Sequence, residues 1–124
     1  MEQPKEKKGW FGLRRTKSAL KRLPIEVVCS ESNAPLQPEV EGRFRRLIAQ
    51  VKGRVAWTRI QLLDVRDETG VLMKRCVVQM RLRHSPQVVF AVTAHSAREA
   101  LAEASARLER VLARRLQQSV PVGV

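Results

Sequence analysis

The stretch between residues 87 and 118 constrains the fold of this chain more than any other part of its sequence. It opens with the apolar run Val88–Val92, which is short and rich in β-branched residues and therefore predicts a strand. Ser96 and Glu99 follow at the spacing of a capping box, in which the hydroxyl and the carboxylate each accept a backbone N–H at a helix start. After this cap, apolar residues recur at helical spacing: Leu101, Ala104, Leu108, Val111, Leu112 and Leu116. The pattern predicts a strand that leads directly into an amphipathic helix.

The opposite face of this helix carries one acid and three cations: Glu103, Arg107, Arg110 and Arg114. Such a face is either a solvated surface or a site for an anionic partner. The composition favours the second interpretation, because Lys and Arg number 24 against 12 for Asp and Glu, a net charge of +12 and a pI near 11.2. An excess of this size favours polyanions, with nucleic acid first and an anionic membrane surface second.

The length and apolar content predict one folded domain with short extensions. A chain of 124 residues with 44% hydrophobic residues is long enough for one core, which excludes a disordered basic protein. Residues 1–22 carry eight basic and two acidic residues, so this segment holds a net charge of +6 and predicts a basic, largely disordered arm. Residues 23–118 form the predicted domain, and residues 119–124 form a short tail.

The arm has three interpretations. Trp10, Phe11 and Leu13 interrupt its charge and would anchor it to a partner or to the domain. The same residues would also suit a weak membrane-surface element. An organelle transit peptide is the least favoured of the three, because glutamates lie near the start.

The remaining signals favour a cytoplasmic protein. No apolar run approaches the ~18 residues of a membrane span, and the polar start Met1–Lys8 with no apolar run after it predicts no signal peptide. Cys29 and Cys76 lie within apolar strand-like runs, so we expect two reduced, buried thiols and neither a disulfide nor a metal pair.

The rest of the chain predicts one more helix and three more strands. The boundaries are a strand at Leu23–Ser30, a loop at Ser32–Pro35, a helix at Leu36–Lys52, and strands at Val55–Arg66 and Val71–Arg83 joined by a hairpin loop at Asp67–Gly70. On the last of these strands the expected apolar face is Leu72, Cys76, Val78, Met80 and Leu82, broken by Lys74. The predicted fold is an α+β two-layer sandwich of order β-α-β-β-β-α, with two helices packed on one face of a four-stranded sheet and the other face open.

No pattern in the sequence points to catalysis. His84 and His95 are far apart and each lies beside a strand end, where a surface histidine is the usual explanation. Asp64, Asp67 and Glu68 cluster at the hairpin, where turn chemistry accounts for acidic residues. The six glycines are scattered and form no phosphate-binding loop. We therefore expect no catalytic residue, no metal, no cofactor and no small-molecule substrate.

The element order and the run from Val88 to Leu116, VVFAVTAHSAREALAEASARLERVLARRL, resemble the ribosome hibernation factor family. This family comprises the hibernation-promoting factors and ribosome-associated inhibitors, also described as sigma-54 modulation proteins. The resemblance covers about Pro24 to Gln118 and is to the short form, which lacks the C-terminal dimerisation domain of the long factors. Leu108-Glu109-Arg110 matches the family pattern of Leu, an acidic residue or Ala, and Arg, whereas Ser96 stands where the family usually has an acidic cap. The 22-residue arm is unlike the short members.

The resemblance implies a stress-response translation inhibitor that binds ribosomal RNA of the small ribosomal subunit in the mRNA and tRNA channel. It implies RNA contacts from both helices, and with the adjoining arginines the RNA-binding set is Arg43, Arg46, Lys52, Arg54, Arg107, Arg110, Arg114 and Arg115. Secondary candidates are Lys74, Arg75, Arg81 and Arg83. Arginine suits this role because its planar guanidinium binds two phosphate oxygens or stacks on a base. Away from the ribosome we expect a monomer.

Three alternatives remain open from the sequence. The open sheet face, with Trp57, Arg59, Arg75, Arg81 and Arg83, would suit a sheet-based RNA-binding module, although an aromatic content of 4% disfavours a surface built on base stacking. A membrane-surface protein would use residues 5–22 as its anchor. A basic adaptor would dock on an acidic protein and show only salt-sensitive, non-specific affinity for RNA.

Overall fold

A computed structural model of the chain describes residues 24–51 and 53–119. The elements are β1 (Ile25–Cys29), a 3₁₀ helix (Glu31–Leu36), α1 (Gln37–Ala49), β2 (Val55–Arg66), β3 (Leu72–Leu82), β4 (Val88–Ala94) and α2 (Ala97–Ser119). The predicted α+β fold of order β-α-β-β-β-α is confirmed. The arm, Lys52 and the end of the tail lie outside the described residues.

The four strands form one mixed sheet in the order β1-β2-β3-β4. β1 is parallel to β2, and the two hairpin-connected pairs are antiparallel. A parallel pair needs a crossover connection, and α1 supplies it. Both helices pack against the sheet, α1 on β1 and α2 on β3 and β4.

Alternation along the strands places the core between the sheet and the helices. On β3 the residues Cys76, Val78 and Met80 are fully buried, whereas Arg75 and Arg81 on either side of this set are exposed. The helices contribute the matching stripes Val40, Phe44 and Ile48 from α1 and Ala100, Leu101, Ala104, Leu108 and Leu112 from α2. The opposite face of the sheet is left uncovered by the helices.

Both cysteines are free thiols, and the sequence prediction that both are buried is wrong for Cys29. Cys76 is fully buried in the core, whereas Cys29 is only half-buried at the end of β1. Burial raises the pKa of the Cys76 thiol to about 12, so this side chain stays protonated and acts as a small apolar group.

Two element boundaries and the burial of one residue differ from the sequence prediction. The predicted loop at Ser32–Pro35 is wrong, since it lies within a 3₁₀ helix that leads directly into α1. α1 ends at Ala49, three residues early, because the last turn tightens: the Gln50 N–H reaches the Leu47 carbonyl at 3.3 Å. Leu72 is 46% exposed, because it lies at the hairpin end of β3.

Candidate nucleic-acid interface

The two helices run in the same direction, so both finish at the same end of the fold. Near their starts, the Arg98 guanidinium of α2 lies 3.0 Å from the Glu39 carboxylate of α1. Further along, Arg43 Nη1 donates to Ser105 Oγ at 3.3 Å. Beyond this, a groove is lined by Leu47 of α1 and the following Gln50 together with Leu112 and Ala113 of α2, among others. Later residues of α1 thus lie beside later residues of α2.

Strand ends meet the helix ends at this same place. The Arg83 N–H at the end of β3 donates to the Arg54 carbonyl just before β2, at 2.8 Å. Arg115 Nη1 donates to the Pro86 carbonyl, 2.9 Å away in the loop before β4. The loop from α1 to β2, the loop from β3 to β4 and the last turns of α2 therefore form one surface.

Cations concentrate at this surface, which we call the cationic end. It is defined by Arg46, Arg54, Arg81, Arg83, Arg110, Arg114 and Arg115, and Glu109 lies among them. The opposite end holds the helix starts and the β2–β3 hairpin, with Glu31, Glu39, Glu41, Asp64, Asp67, Glu68 and Glu99. The helix macrodipole favours this arrangement, since acids are stabilised at helix N-termini and cations at C-termini.

Several cations outside the cationic end bind local oxygens. Lys74 Nζ lies 2.8 Å from Asp64 Oδ1, and Arg98 pairs with Glu39 as described. Arg45 lies 3.9 Å from Glu41 one helical turn away, and Arg66 donates to the Gly70 carbonyl at 2.8 Å. The unopposed positive charge of the described fold therefore lies mainly at the cationic end.

Three of the predicted RNA-binding side chains are available at the cationic end. Arg46, Arg110 and Arg114 are exposed, and within residues 24–51 and 53–119 none of them has a hydrogen-bond or ion-pair partner. They come from both helices, so α1 and α2 each contribute free guanidinium groups to the cationic end. Exposed guanidinium groups are suited to contacts with a phosphate backbone.

Three other predicted residues already hold the fold together. Arg43 is half-buried and bonds Ser105 across the helix interface, and Arg115 anchors the end of α2 to the loop before β4. The Arg107 guanidinium lies over the Phe90 ring, 4.6 Å from its centroid, at the margin of the core. Arg54 is half-buried and engaged in a contact, and Lys52 lies outside the described residues.

Some of the secondary RNA-binding candidates are held by contacts within the fold, and others are exposed. Lys74 is held by Asp64, and Arg75 Nε donates to Thr93 Oγ1 on the uncovered sheet face at 3.1 Å. Arg81 and Arg83 are exposed at the cationic end. Arg81 pairs in register with Trp57, whose side chain is 37% exposed on the uncovered face.

A polar network at the acidic end was not found from the sequence. The Asp64 carboxylate accepts hydrogen bonds from Ser32 Oγ, from Asn33 Nδ2 at 2.9 Å and from Lys74 Nζ at 2.8 Å. These contacts, Lys74 foremost, lower the pKa of Asp64 to about 2. The network joins the 3₁₀ helix to the sheet across about thirty positions of sequence, so no local pattern reveals it.

Turn chemistry therefore explains Asp67 but not Asp64 among the acidic residues near the hairpin. Asp67 Oδ1 does accept the backbone N–H groups of Thr69 at 2.8 Å and Val71 at 2.9 Å, as in an Asx turn. The hydrogen bond from the Thr69 hydroxyl, together with these backbone contacts, lowers the pKa of Asp67. Asp64 has the separate structural role described above.

Comparison with known proteins gives no family assignment. No protein-family model matches the chain, and no curated protein matches it. Among the described helices, none combines the length and apolar character that a membrane span needs. Within the same residues, no group of three or more His, Cys, Asp or Glu side chains is placed to hold a metal ion.

Proposed function

We propose that this protein is a translation inhibitor that binds ribosomal RNA of the small ribosomal subunit, in the channel for mRNA and tRNA. The concentration of arginines at one end of the fold carries the proposal. The element order β-α-β-β-β-α supports it as well, because this is the order on which the resemblance to hibernation factors rests. The binding surface is the cationic end, and the arm adds positive charge to the same polyanion.

The proposal assigns direct phosphate contacts to Arg46, Arg110 and Arg114. Their side chains are exposed, so RNA can reach them without breaking a contact within the described fold. They project from helices that are fixed by a packed core, which limits the conformational entropy lost on binding. Each neutralised phosphate releases counterions, and this release supplies the affinity.

Co-sedimentation of the full chain with purified small subunits tests the proposal at low and moderately high salt. We expect saturable binding near one protein per subunit. Arg110→Ala/Arg114→Ala should weaken it roughly tenfold or more, since two charge-assisted contacts are lost. Arg59→Ala/Arg75→Ala removes the same charge from the uncovered sheet face and is the matched control.

The outcomes separate the candidate functions. Saturable binding that survives the higher salt and is weakened only by the helix variant supports the proposal. Binding that titrates without limit and disappears with salt contradicts it and leaves a basic protein with non-specific RNA affinity. In that case, binding of anionic vesicles by the full chain, lost when residues 1–22 are removed, would favour the membrane-surface alternative.

A second candidate function uses the uncovered sheet face. The exposed Trp57 ring beside Arg81 is the observation that favours it, because a base can stack on an indole while a guanidinium binds the adjacent phosphate. This candidate predicts the reverse result, with stronger loss for Arg59→Ala/Arg75→Ala than for the helix variant.

A further inference from the structure

β4 is an edge strand without the usual protection against pairing. It is the last strand of the sheet, and its seven residues, Val88–Ala94, include no charged residue and no proline. Natural edge strands are commonly guarded by charge, proline, a bulge or short length. The other edge, β1, has such guards, since it is five residues long, follows Pro24 and contains Glu26.

The exposed surface of β4 is suited to a protein partner. On the uncovered face Val89 is 59% exposed, and Ala91 and Thr93 are exposed as well. Every second residue of an edge strand directs its N–H and C=O away from the sheet. Among the described residues, no strand lies on that outer side of β4.

A second copy of the chain matches this edge in antiparallel register. Placing Ala91 opposite Ala91 of the second copy pairs all seven residues of both strands. Phe90 then lies opposite Val92, and Val89 lies opposite Thr93, with each pair on the same face of the sheet. Both α2 helices lie on one face of the resulting eight-stranded sheet.

Charge complementarity favours this register. α2 runs back along β4, because Arg107 lies over Phe90 and Arg115 reaches the loop before the strand. Glu103 is one helical turn from Arg107 on the same side of α2, about 6 Å along the axis. Val92 is about 6.6 Å from Phe90 along β4 in the matching direction, so Glu103 lies level with Val92. Around the two-fold axis, Arg107 of each copy therefore faces Glu103 of the other.

We infer that this chain forms a symmetric homodimer through β4, joined by Arg107–Glu103 pairs between the α2 helices. Glu103 is exposed, and it has no ion-pair partner within the described residues, so it is available for this contact. The inference does not rest on RNA binding. It replaces the monomer that we expected from the sequence.

Sedimentation equilibrium of the full chain over a wide concentration range measures the dimer. Ala91→Lys places two like charges opposite each other at the axis and should weaken dimerisation roughly tenfold or more. The monomer tolerates this change, because Ala91 is exposed. Gln61→Lys is the matched control, since Gln61 lies in the same row of the uncovered face two strands inward.

Charge reversal tests the helix contact independently of the strand. Glu103→Arg and Arg107→Glu should each weaken the dimer, whereas the double variant Glu103→Arg/Arg107→Glu should recover most of the affinity. A wild type that stays monomeric up to its solubility limit would overturn the inference. So would a dimer that is equally stable in Ala91→Lys and Gln61→Lys.

Discussion

Asp64 lies at the meeting point of three separate segments of the chain. Ser32 and Asn33 reach it from the 3₁₀ helix, and Lys74 reaches it from the adjacent strand β3. Asn33 is 2% exposed and also donates to Ser30 Oγ at 2.7 Å. A buried amide needs such partners, so the network fixes the 3₁₀ helix against the sheet and thereby sets where α1 begins.

The lowered pKa of Asp64 makes part of the folding stability depend on pH. The folded pKa of about 2 lies below the ordinary value of 3.8, so the folded state favours the carboxylate. This contribution is fully present above the ordinary value and is lost as the pH falls through about 2. We expect Asp64→Asn to lower the free energy of unfolding near neutral pH, with the difference from wild type shrinking towards pH 2.

Urea unfolding at a series of pH values measures this difference. Glu68→Gln removes an exposed carboxylate from the same hairpin and should change the free energy of unfolding by less than about 0.5 kcal/mol near neutral pH. An Asp64→Asn difference that is the same at neutral and acidic pH would show that ionisation of Asp64 is not the cause.

The alternation of buried and exposed side chains along a strand could be predicted from the sequence, but the contacts of individual side chains could not. The buried and exposed positions on β3 follow from a two-residue period, so Cys76, Val78 and Met80 were predictable. Arg43 and Arg46 look alike in the sequence, yet one bonds Ser105 and the other is exposed. Only the packing of α1 against α2, which brings Ser105 to Arg43 from 62 positions away, decides between them.

At the scale of elements, the start of α2 shows a local signal that the structure bears out. The Glu99 N–H donates to Ser96 Oγ at 3.1 Å, which is the N-cap contact expected from the sequence. The Ala100 N–H donates to the Ser96 carbonyl at 3.0 Å and closes the first helical turn. A local contact of this kind is predictable because both partners lie within one turn.

Removing this cap should destabilise the protein measurably. Ser96→Ala leaves a backbone N–H of α2 without its side-chain acceptor, and we expect a loss of about 1 kcal/mol in the free energy of unfolding. Ser96→Asp keeps an acceptor and adds favourable charge at the helix start, so its loss should be smaller. Denaturant unfolding measures both variants, and equal losses for Ala and Asp would contradict the role of the cap.

The helical boundary that was missed at residues 32–35 has a tertiary cause. Pro35 favours a turn or loop by its fixed backbone, but the Asn33 contacts with Asp64 hold the same residues in a 3₁₀ helix. Tertiary contacts therefore overrode the local preference. The strands were located well, because period-two alternation extends over many residues of β2 and β3 and averages out local exceptions.

For the whole molecule, the separation of charge between two ends is the main feature. It depends on the topology, since α1 and α2 must run in the same direction before their C-terminal arginines can meet. The sequence predicted basic helices but not that Arg46 and Arg114 would share a surface with Arg83. The shared surface is set by the crossover connection between β1 and β2 and by the contact of Arg115 with the loop before β4.

The RNA binding that we propose for the cationic end predicts how salt changes the affinity. The logarithm of the binding constant should fall linearly with the logarithm of salt concentration, with a slope set by the phosphates contacted. Arg110→Ala/Arg114→Ala should reduce the steepness of this slope by roughly 1.4 to 1.8. Arg59→Ala/Arg75→Ala should leave it nearly unchanged in the same titrations with small subunits. Equal slopes for the two variants would place the phosphate contacts elsewhere.

Opposite charges at opposite ends also give the folded domain a permanent electric dipole along its strands. In the electric field of a polyanion, a torque acts on such a molecule before the two molecules make contact. The arginine-bearing helix ends turn towards the phosphates, and the β2–β3 hairpin with its carboxylates turns away. With the RNA partner that we propose, a larger share of encounters should therefore begin in the productive orientation, and we expect the hairpin tip to face the solvent in the complex.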